Sequence, residues 1–393
     1  MYLKKNLKNI AQYYVSNLIG GRKNTSDWEF EKYGLKTEVI QNKQLALELE
    51  NACQKDGYLL FSEFLQIDQH GKYGYHLNNK WHGEQQLYRY WGKAIAKLCQ
   101  YEPIERVLDF GAGNGDLGIA VIDEARKLHY KIIWSGIEIN GNLISTIRQA
   151  FKRKKYEENL LQISPSINKI LSSSKKSLLV FSYSLDNLAP EMFINENQDL
   201  HYPTNLMGVT VKNGVVNEII LTNEQLLKKK IQYKNGVLSQ NGTSYNLHGW
   251  KLTHLQRACI PITAAKILLQ SSKKVKQNSM LLIIDEFSEP NYARNEKHLN
   301  FPKDLTVFDR IFKNTTKLYN QAGNNLLYYP TYLLAYESIL QSLGYTQLQI
   351  DNERTLANIL AKKHIIQNIP GLCFGILAKK TSKTVNPITI KAY

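Results

Sequence analysis

Cysteine is scarce in this chain of 393 residues: Cys53, Cys99, Cys259 and Cys373 are all it has, and no two are close together. Isolated cysteines exclude a disulfide framework or a thiolate zinc site and suit a reducing compartment. Long apolar runs are missing too. None approaches the ~18 residues of a membrane span, so neither a spanning helix nor a membrane partner is expected. Acids are few: 34 Asp and Glu stand against 50 Lys and Arg, a formal net charge of +16. Residues 1–26 hold no acid at all, yet carry Lys4, Lys5, Lys8, Arg22 and Lys23. That bias resembles a mitochondrial presequence, but Lys outnumbers Arg and no cleavage site is evident. With Leu3, Leu7, Ile10 and Tyr14 on one helical face, a docked amphipathic helix is the plainer expectation. The expected setting is the cytoplasm, or the mitochondrion in a eukaryote.

Internal repeats and low-complexity linkers are also absent. With 43% hydrophobic and 21% charged residues the chain reads as a folded globular protein, long enough for one large domain or two smaller ones. The basic runs are Lys152–Lys155, Lys228–Lys230, Lys273-Lys274 with Lys276, Lys362-Lys363 and Lys379-Lys380. They are dispersed, and no RNA-binding module accompanies them. A solvated basic surface is the default expectation, and an acidic macromolecule such as nucleic acid is the alternative.

The most informative stretch runs from Arg106 to Asp116. Val107 to Phe110 reads as a buried strand. Asp109 stands near its end, Gly111, Gly113 and Gly115 follow at alternate positions, and an apolar helix starts at Leu117. Glycine lets a ligand lie against bare backbone at a helix N-terminus, because no Cβ holds it away. The pattern is Asp-x-Gly-x-Gly-x-Gly, not the dinucleotide Gly-x-Gly-x-x-Gly, whose third glycine position here holds Asp116. An acid there repels a pyrophosphate but tolerates the ammonium and sulfonium of S-adenosylmethionine. A second strand, Lys131 to Ile139, carries Glu138 near its carboxyl end, where a carboxylate can accept hydrogen bonds from both ribose hydroxyls. The turn resembles motif I of the class I methyltransferases. Asp109, Gly111, Gly113, Gly115, Glu138, Ile139 and Ser182 are therefore the candidate cofactor-binding residues. S-adenosyl-L-methionine is the candidate cofactor, with Asp109 holding its ammonium.

Helical periodicity covers 40–55 and 84–99, with an aromatic, glycine-containing loop from Tyr58 to His82 between them. Strands are expected at 106–110, 132–139, 160–163, 178–181 and 280–284, with late strands at 346–350 and 373–378. Alternation of helices and strands means an α/β fold, a doubly wound Rossmann-like parallel sheet with an antiparallel edge. The interval between the fourth and fifth strands is too long for a simple crossover. It contains a hairpin, Met207–Val211 with Val215–Leu221 around Asn213-Gly214, further Asn-Gly turns at Asn235-Gly236 and Asn241-Gly242, and a helix from Leu255 to Ser271. The expected division is an N-terminal helical lid and substrate-binding region over 1–100, then a cofactor-binding domain over 101–393 with the insertion at 192–275. The insertion is expected to roof the cofactor cleft.

In this order the pieces resemble the MidA-like methyltransferases, a family that includes a mitochondrial arginine methyltransferase of complex I assembly. The resemblance runs through most of 57–378 at low identity. Gly57 to Phe64, with Ser62-Glu63-Phe64, is similar to the family's opening, and Tyr73-Gly74-Tyr75 to its Tyr-Gly-Tyr loop. Asp109–Gly115 and Glu138 match the cofactor positions, Leu185 to Pro190 the segment after the fourth strand, and Ile283-Ile284-Asp285 the segment after the fifth. The resemblance implies a class I fold with lid and inserted hairpins, S-adenosylmethionine as cofactor, and a protein or peptide nitrogen as acceptor.

Departures bear on the chemistry. Ser182-Tyr183 stands where the family has Asn-Glu, Glu286 replaces a Tyr, and Tyr329-Pro330-Thr331-Tyr332 replaces a His-Val-Asp segment. Asp186-Asn187 and Pro190-Glu191 also resemble type II protein arginine methyltransferases, which hold a guanidinium between two glutamates. Tyr183 at one such position weakens the arginine reading. Methyl transfer from a sulfonium is an in-line displacement in which the protein supplies alignment, desolvation and sometimes a base. The candidate catalytic residues are Tyr183, Asp186 and Asp285, and the candidate substrate-binding residues are Tyr75, His76, Ser184 and Glu286. Each has a plainer role: Tyr183 as an aromatic cover over the cofactor, Asp186 as a helix cap, Asp285 as a loop anchor. His70, His76 and His82 recur every sixth residue, which fits no short metal-ligand motif, so no metal is expected. The Asn/Asp-Pro-Pro-aromatic tetrapeptide of amino-methyltransferases acting on adenine is absent after the fourth strand. Two rival readings are a small-molecule methyltransferase with an aromatic pocket rebuilt from Tyr183, Tyr329 and Tyr332, and a non-catalytic assembly factor that binds the cofactor without turnover.

Overall fold

The computed structural model describes residues 35–74, 85–172, 174–182, 184–185, 187–196, 202–250, 257–285, 322, 333–361 and 374–391. The N-terminal part comprises β1 (Thr37–Val39), α1 (Lys43–Gln54), β2 (Leu59–Leu60), α2 (Phe61–His70) and α3 (Gln85–Tyr101). An alternating part follows, with β3 (Arg106–Phe110), α4 (Asp116–Lys127), β4 (Ile133–Ile137), α5 (Gly141–Arg153), β5 (Leu160–Ser164) and β6 (Ser177–Ser182). Next come β7 (Glu191–Ile194), β8 (Asn205–Lys212), β9 (Val215–Ile220), α6 (Asn223–Lys228), β10 (Ile231–Lys234), β11 (Val237–Gln240), β12 (Thr243–Gly249) and β13 (Arg257–Ile260). The last part holds α7 (Ile262–Ser272), β14 (Met280–Asp285), α8 (Leu333–Ser342), β15 (Tyr345–Asn352), α9 (Glu353–Ala361), β16 (Phe374–Lys380) and β17 (Ile388–Lys391).

The central sheet has the order β15-β16-β14-β6-β3-β4-β5. Its five strands from β14 to β5 are parallel, and β16 runs antiparallel between β14 and β15, the expected doubly wound sheet with an antiparallel edge. Strands covered on both faces read as continuous apolar runs, as Ser177–Ser182 and Met280–Asp285 do, buried throughout. Period-two alternation then assigns the faces. Val107, Leu178, Val180, Leu282 and Ile284 pack in one cluster with Trp91 and Ile95 of α3, Val121 of α4 and Leu356 of α9. Leu108, Phe110, Leu179, Phe181, Leu281 and Ile283 pack in the other with Leu268 of α7 and Ile339 of α8. Asp109 falls in step with Val107 on the first face, opposite Gly136 and Val180 in register. A carboxyl group thus takes a core position.

Beyond the central sheet lie two more. One has the order β1-β9-β8-β7-β13 with β2 added against β8, and α1 and α2 cover it through Leu45, Leu49, Phe61 and Phe64. The other has the order β10-β11-β12-β17. The three Asn-Gly pairs expected in the insertion make tight hairpin turns, with φ of 52° and 73° at Asn213-Gly214, 49° and 70° at Asn235-Gly236, and 51° and 74° at Asn241-Gly242. Those are the left-handed values of a type I′ turn, whose twist matches the strands it joins.

Two expectations need correction. The stretch from Tyr58 to His82 is not all loop, because Leu59–Leu60 pairs with β8 and Phe61–His70 is a helix. Phe61, Phe64, Leu65 and Asp68 supply its buried face at helical spacing, and Glu63 accepts the Leu60 N–H at 2.9 Å to close its first turn. The helix expected from Leu255 starts instead at Ile262, after β13. Pro261 explains the shift: it disfavours helical geometry at the residue before it, leaving Arg257–Ile260 extended beside β7. The expectations for residues 1–26, Tyr75, His76, His82, Tyr183, Asp186, Glu286, Tyr329 and Tyr332 lie outside the described residues.

Candidate functional site

The carboxyl ends of β3, β4 and β6 meet beside the glycine turn. Gly111, Gly113 and Gly115 have φ of 69°, 53° and 80°, a region that only glycine occupies freely. The N–H groups of Gly111 and Ala112 both donate to the carbonyl of Ile137, at 2.9 and 3.1 Å, which folds the turn onto the end of β4. Gly115 then caps α4. A Cβ placed on Gly111 would sit 2.9 Å from Cβ of Ser184, so the turn also touches the loop that leaves β6.

Glu138 is buried just past β4 and clasps the same turn. One carboxylate oxygen accepts the Gly113 N–H and the other the Asn140 N–H, each at 2.9 Å. Burial pushes its pKa up, while the N–H groups of Asn140, Gly113 and Ile139 hold it down. A carboxylate can accept about four hydrogen bonds, so capacity remains for hydroxyl donors. Ile139, the next residue, is 56% exposed, an apolar side chain on the rim.

Asp109 is 2% exposed, and its Oδ2 has no hydrogen-bond partner. Burial drives its carboxyl up to about 8, with Trp134 opposing the rise and the charge of Glu138 adding to it. The buried hydroxyls of Ser182 and Ser184 are likewise unpartnered. A protein core rarely leaves such groups unsatisfied without a reason. Asp116, at the start of α4, is also pushed up by burial. Asp285 is fully buried and accepts the Leu185 N–H at 2.9 Å, which anchors the loop after β6. The structure therefore brings together Asp109, Gly111, Gly113, Gly115, Glu138, Ile139, Ser182, Ser184 and Asp285.

Lys266 carries no signal in the sequence, and Glu191 stands out there only through the Pro190-Glu191 resemblance. Glu191, the first residue of β7, is buried and accepts the Ser62 hydroxyl at 2.6 Å and the Ser62 N–H at 3.4 Å. Burial raises its pKa, opposed first by the charge of Lys266. Burial lowers that of Lys266, opposed by Glu191 and Glu63. Ser62 and Glu191 each sit in a segment singled out by motif, but nothing in the sequence joins positions 129 apart.

No family model matches the chain, and no curated protein is significantly similar to it. Solved structures are similar in fold. An uncharacterized ACR superfamily protein from Burkholderia thailandensis superposes with a TM-score of 0.53 at 13% identity, over 88% of this chain and 93% of its own. A second superfamily member from the same organism, whose crystal structure holds S-adenosyl-homocysteine, gives 0.55 at 13% identity, over 87% of this chain and 94% of its own. At this identity the likeness is one of fold.

Proposed function

We propose that this protein is an S-adenosylmethionine-dependent methyltransferase of the MidA-like kind. The observation that carries the reading is the Asp109 carboxyl, buried with one oxygen unpartnered beneath a turn of three left-handed glycines that Glu138 clasps from the next strand. A cationic amine is the partner this carboxyl lacks. In this reading Gly111, Gly113 and Gly115 leave backbone bare for close approach, Asp109 receives the methionine ammonium, and Glu138 takes the ribose hydroxyls. Ile139 packs on the adenine, and Ser182 and Ser184 hydrogen-bond to the methionine end. The fold likeness to a protein that holds S-adenosyl-homocysteine supports this choice of ligand.

Bound S-adenosylmethionine would supply a methyl group on a sulfonium, open to in-line attack. The chain's own part is to orient the acceptor and keep water out. Asp285 keeps the loop after β6 in place through Leu185; Tyr183 and Asp186 are the proposed catalytic groups, and Tyr75, His76 and Glu286 the proposed substrate-binding ones. The acceptor in this reading is a protein or peptide nitrogen, supported by the resemblance from Gly57 to Asp285. Calorimetry with S-adenosyl-homocysteine, NAD and ATP tests the site: the first binds and the other two do not. Binding of NAD or ATP instead would refute it. Labelled cofactor with fractionated lysate then tests turnover. Label in protein supports the reading, label in small molecules favours the rebuilt pocket, and binding without transfer favours the assembly factor.

A further inference from the structure

The outward face of α5 carries charge of one sign. From Ile139 to Tyr156 the chain has no acid, while Arg148, Lys152, Arg153, Lys154 and Lys155 all stand exposed. Lys154 pairs with Asp123 at 3.6 Å, and Glu158, just beyond, pairs with Arg126 at 3.4 Å. Among the described residues, Arg148, Lys152, Arg153 and Lys155 have no carboxylate within ion-pair distance.

Cations in a last helical turn suit the helix dipole, which accounts for Lys152 and Arg153. It does not account for Arg148, nor for a first turn without an acid, where the same dipole favours one. Arg148 and Lys152 lie one turn apart, about 6 Å along the axis. Exposed Ser145 lies one turn before Arg148 and exposed Gln149 one turn before Lys152, both with hydrogen-bonding side chains. The apolar side of the helix, Ile147 and Phe151, is spent on the core.

We propose that this face docks RNA along its sugar–phosphate backbone. Lys and Arg interleaved with hydroxyl and amide side chains is the mixture that contacts a sugar–phosphate backbone, and the polar groups can meet 2′-hydroxyls. An anionic membrane fits less well, since an interfacial helix needs a free apolar face to insert. An acidic protein fits less well too, since the core of a protein interface is apolar and aromatic. The helix opens three residues after Glu138, so a strand lying along it runs to the rim of the cleft. Docking there does not depend on methyl transfer.

The test is fluorescence anisotropy of the full chain with a labelled single-stranded RNA over a series of salt concentrations. The variant carries Arg148→Gln, Lys152→Gln, Arg153→Gln and Lys155→Gln. A control of equal charge loss carries Lys212→Gln, Lys230→Gln, Lys234→Gln and Lys276→Gln, all exposed elsewhere. The α5 variant should bind at least about tenfold more weakly, with a log–log salt slope shallower by about 3, while the control changes far less. Unchanged circular dichroism shows that the α5 variant still folds. Equal losses in both variants would overturn the proposal, because the binding would then be diffuse charge. So would no RNA binding by the parent chain, tighter binding of DNA of the same sequence, or equal α5 dependence on phosphatidylserine vesicles.

Discussion

Replacing Asp109 by Asn should stabilise the empty protein while it abolishes cofactor binding. The Asp109 carboxyl is buried, one oxygen is unpartnered, and its pKa is driven from 3.8 to about 8. The sign follows from linkage. An acid whose pKa is raised by folding costs nothing below its unfolded value of 3.8. Its cost grows as pH rises toward about 8 and then levels off. Between those limits each pH unit is worth about 1.4 kcal/mol, so the parent should lose about 4 kcal/mol between pH 5 and pH 8 through this one group. The amide cannot ionise. It brings its own unsatisfied donors, at about 1–3 kcal/mol, but that cost is the same at both pH values. Urea denaturation of both proteins at pH 5 and pH 8 isolates the difference between the two mutational effects. The expected result is Asp109→Asn gaining about 4 kcal/mol on the parent across that interval, with S-adenosyl-homocysteine binding lost at both. A gap that stays constant within about 1 kcal/mol would mean that Asp109 is already solvated or paired, and the ammonium role would fall with it.

Three further outcomes follow from the same geometry. Because Asp109 is neutral below about 8 in the empty protein and must ionise to meet an ammonium, S-adenosyl-homocysteine binding at pH 7 should release close to one proton. Calorimetry in phosphate and in Tris reads this directly, and an enthalpy independent of buffer would contradict it. Glu138→Ala leaves the Gly113 and Asn140 N–H groups without their acceptor and should weaken binding by about 2 kcal/mol or more, roughly thirtyfold. Glu138→Gln, which keeps an acceptor, should lose less, and equal losses would detach the clasp from binding. Gly111→Ala puts a Cβ at φ 69° and 2.9 Å from Ser184, costing about 1–2 kcal/mol for the backbone alone. Thermal unfolding and binding should both suffer, and an unchanged melting temperature would refute the close approach.

Much of the core was legible from pattern. Val107–Phe110, Leu178–Phe181 and Met280–Ile284 are apolar runs long enough for a strand and too short for a helix. The glycines after Phe110 and the three Asn-Gly pairs name their own backbone conformations. The helix at Phe61–His70 was hidden among glycines, histidines and tyrosines, although Phe61, Phe64 and Leu65 carry its period. Pro261 marks the end of β13, inside an apolar stretch that by itself also fits a helix. At the candidate site, Asp109 and Glu138 could be read off as acids at strand ends. That one Asp109 oxygen lacks a partner, that Glu138 holds Gly113, and that Asp285 holds Leu185 were not readable, since each depends on neighbours far away in the chain.

The amino-acid order alone determined what lies within a few residues: left-handed turns at the hairpin Asn-Gly pairs and the glycines after Phe110, alternation that buries both faces of β3 and β6, and a break at Pro261. These follow from local sterics and from side-chain period. Only the tertiary structure decided which segments share a sheet and which charges share a pocket. It set Thr37–Val39 beside Val215–Asn217, Ser62 against Glu191, and β17 alongside β12. Such pairings are chosen by the summed burial of many weakly specific contacts, and no short stretch of sequence records that sum.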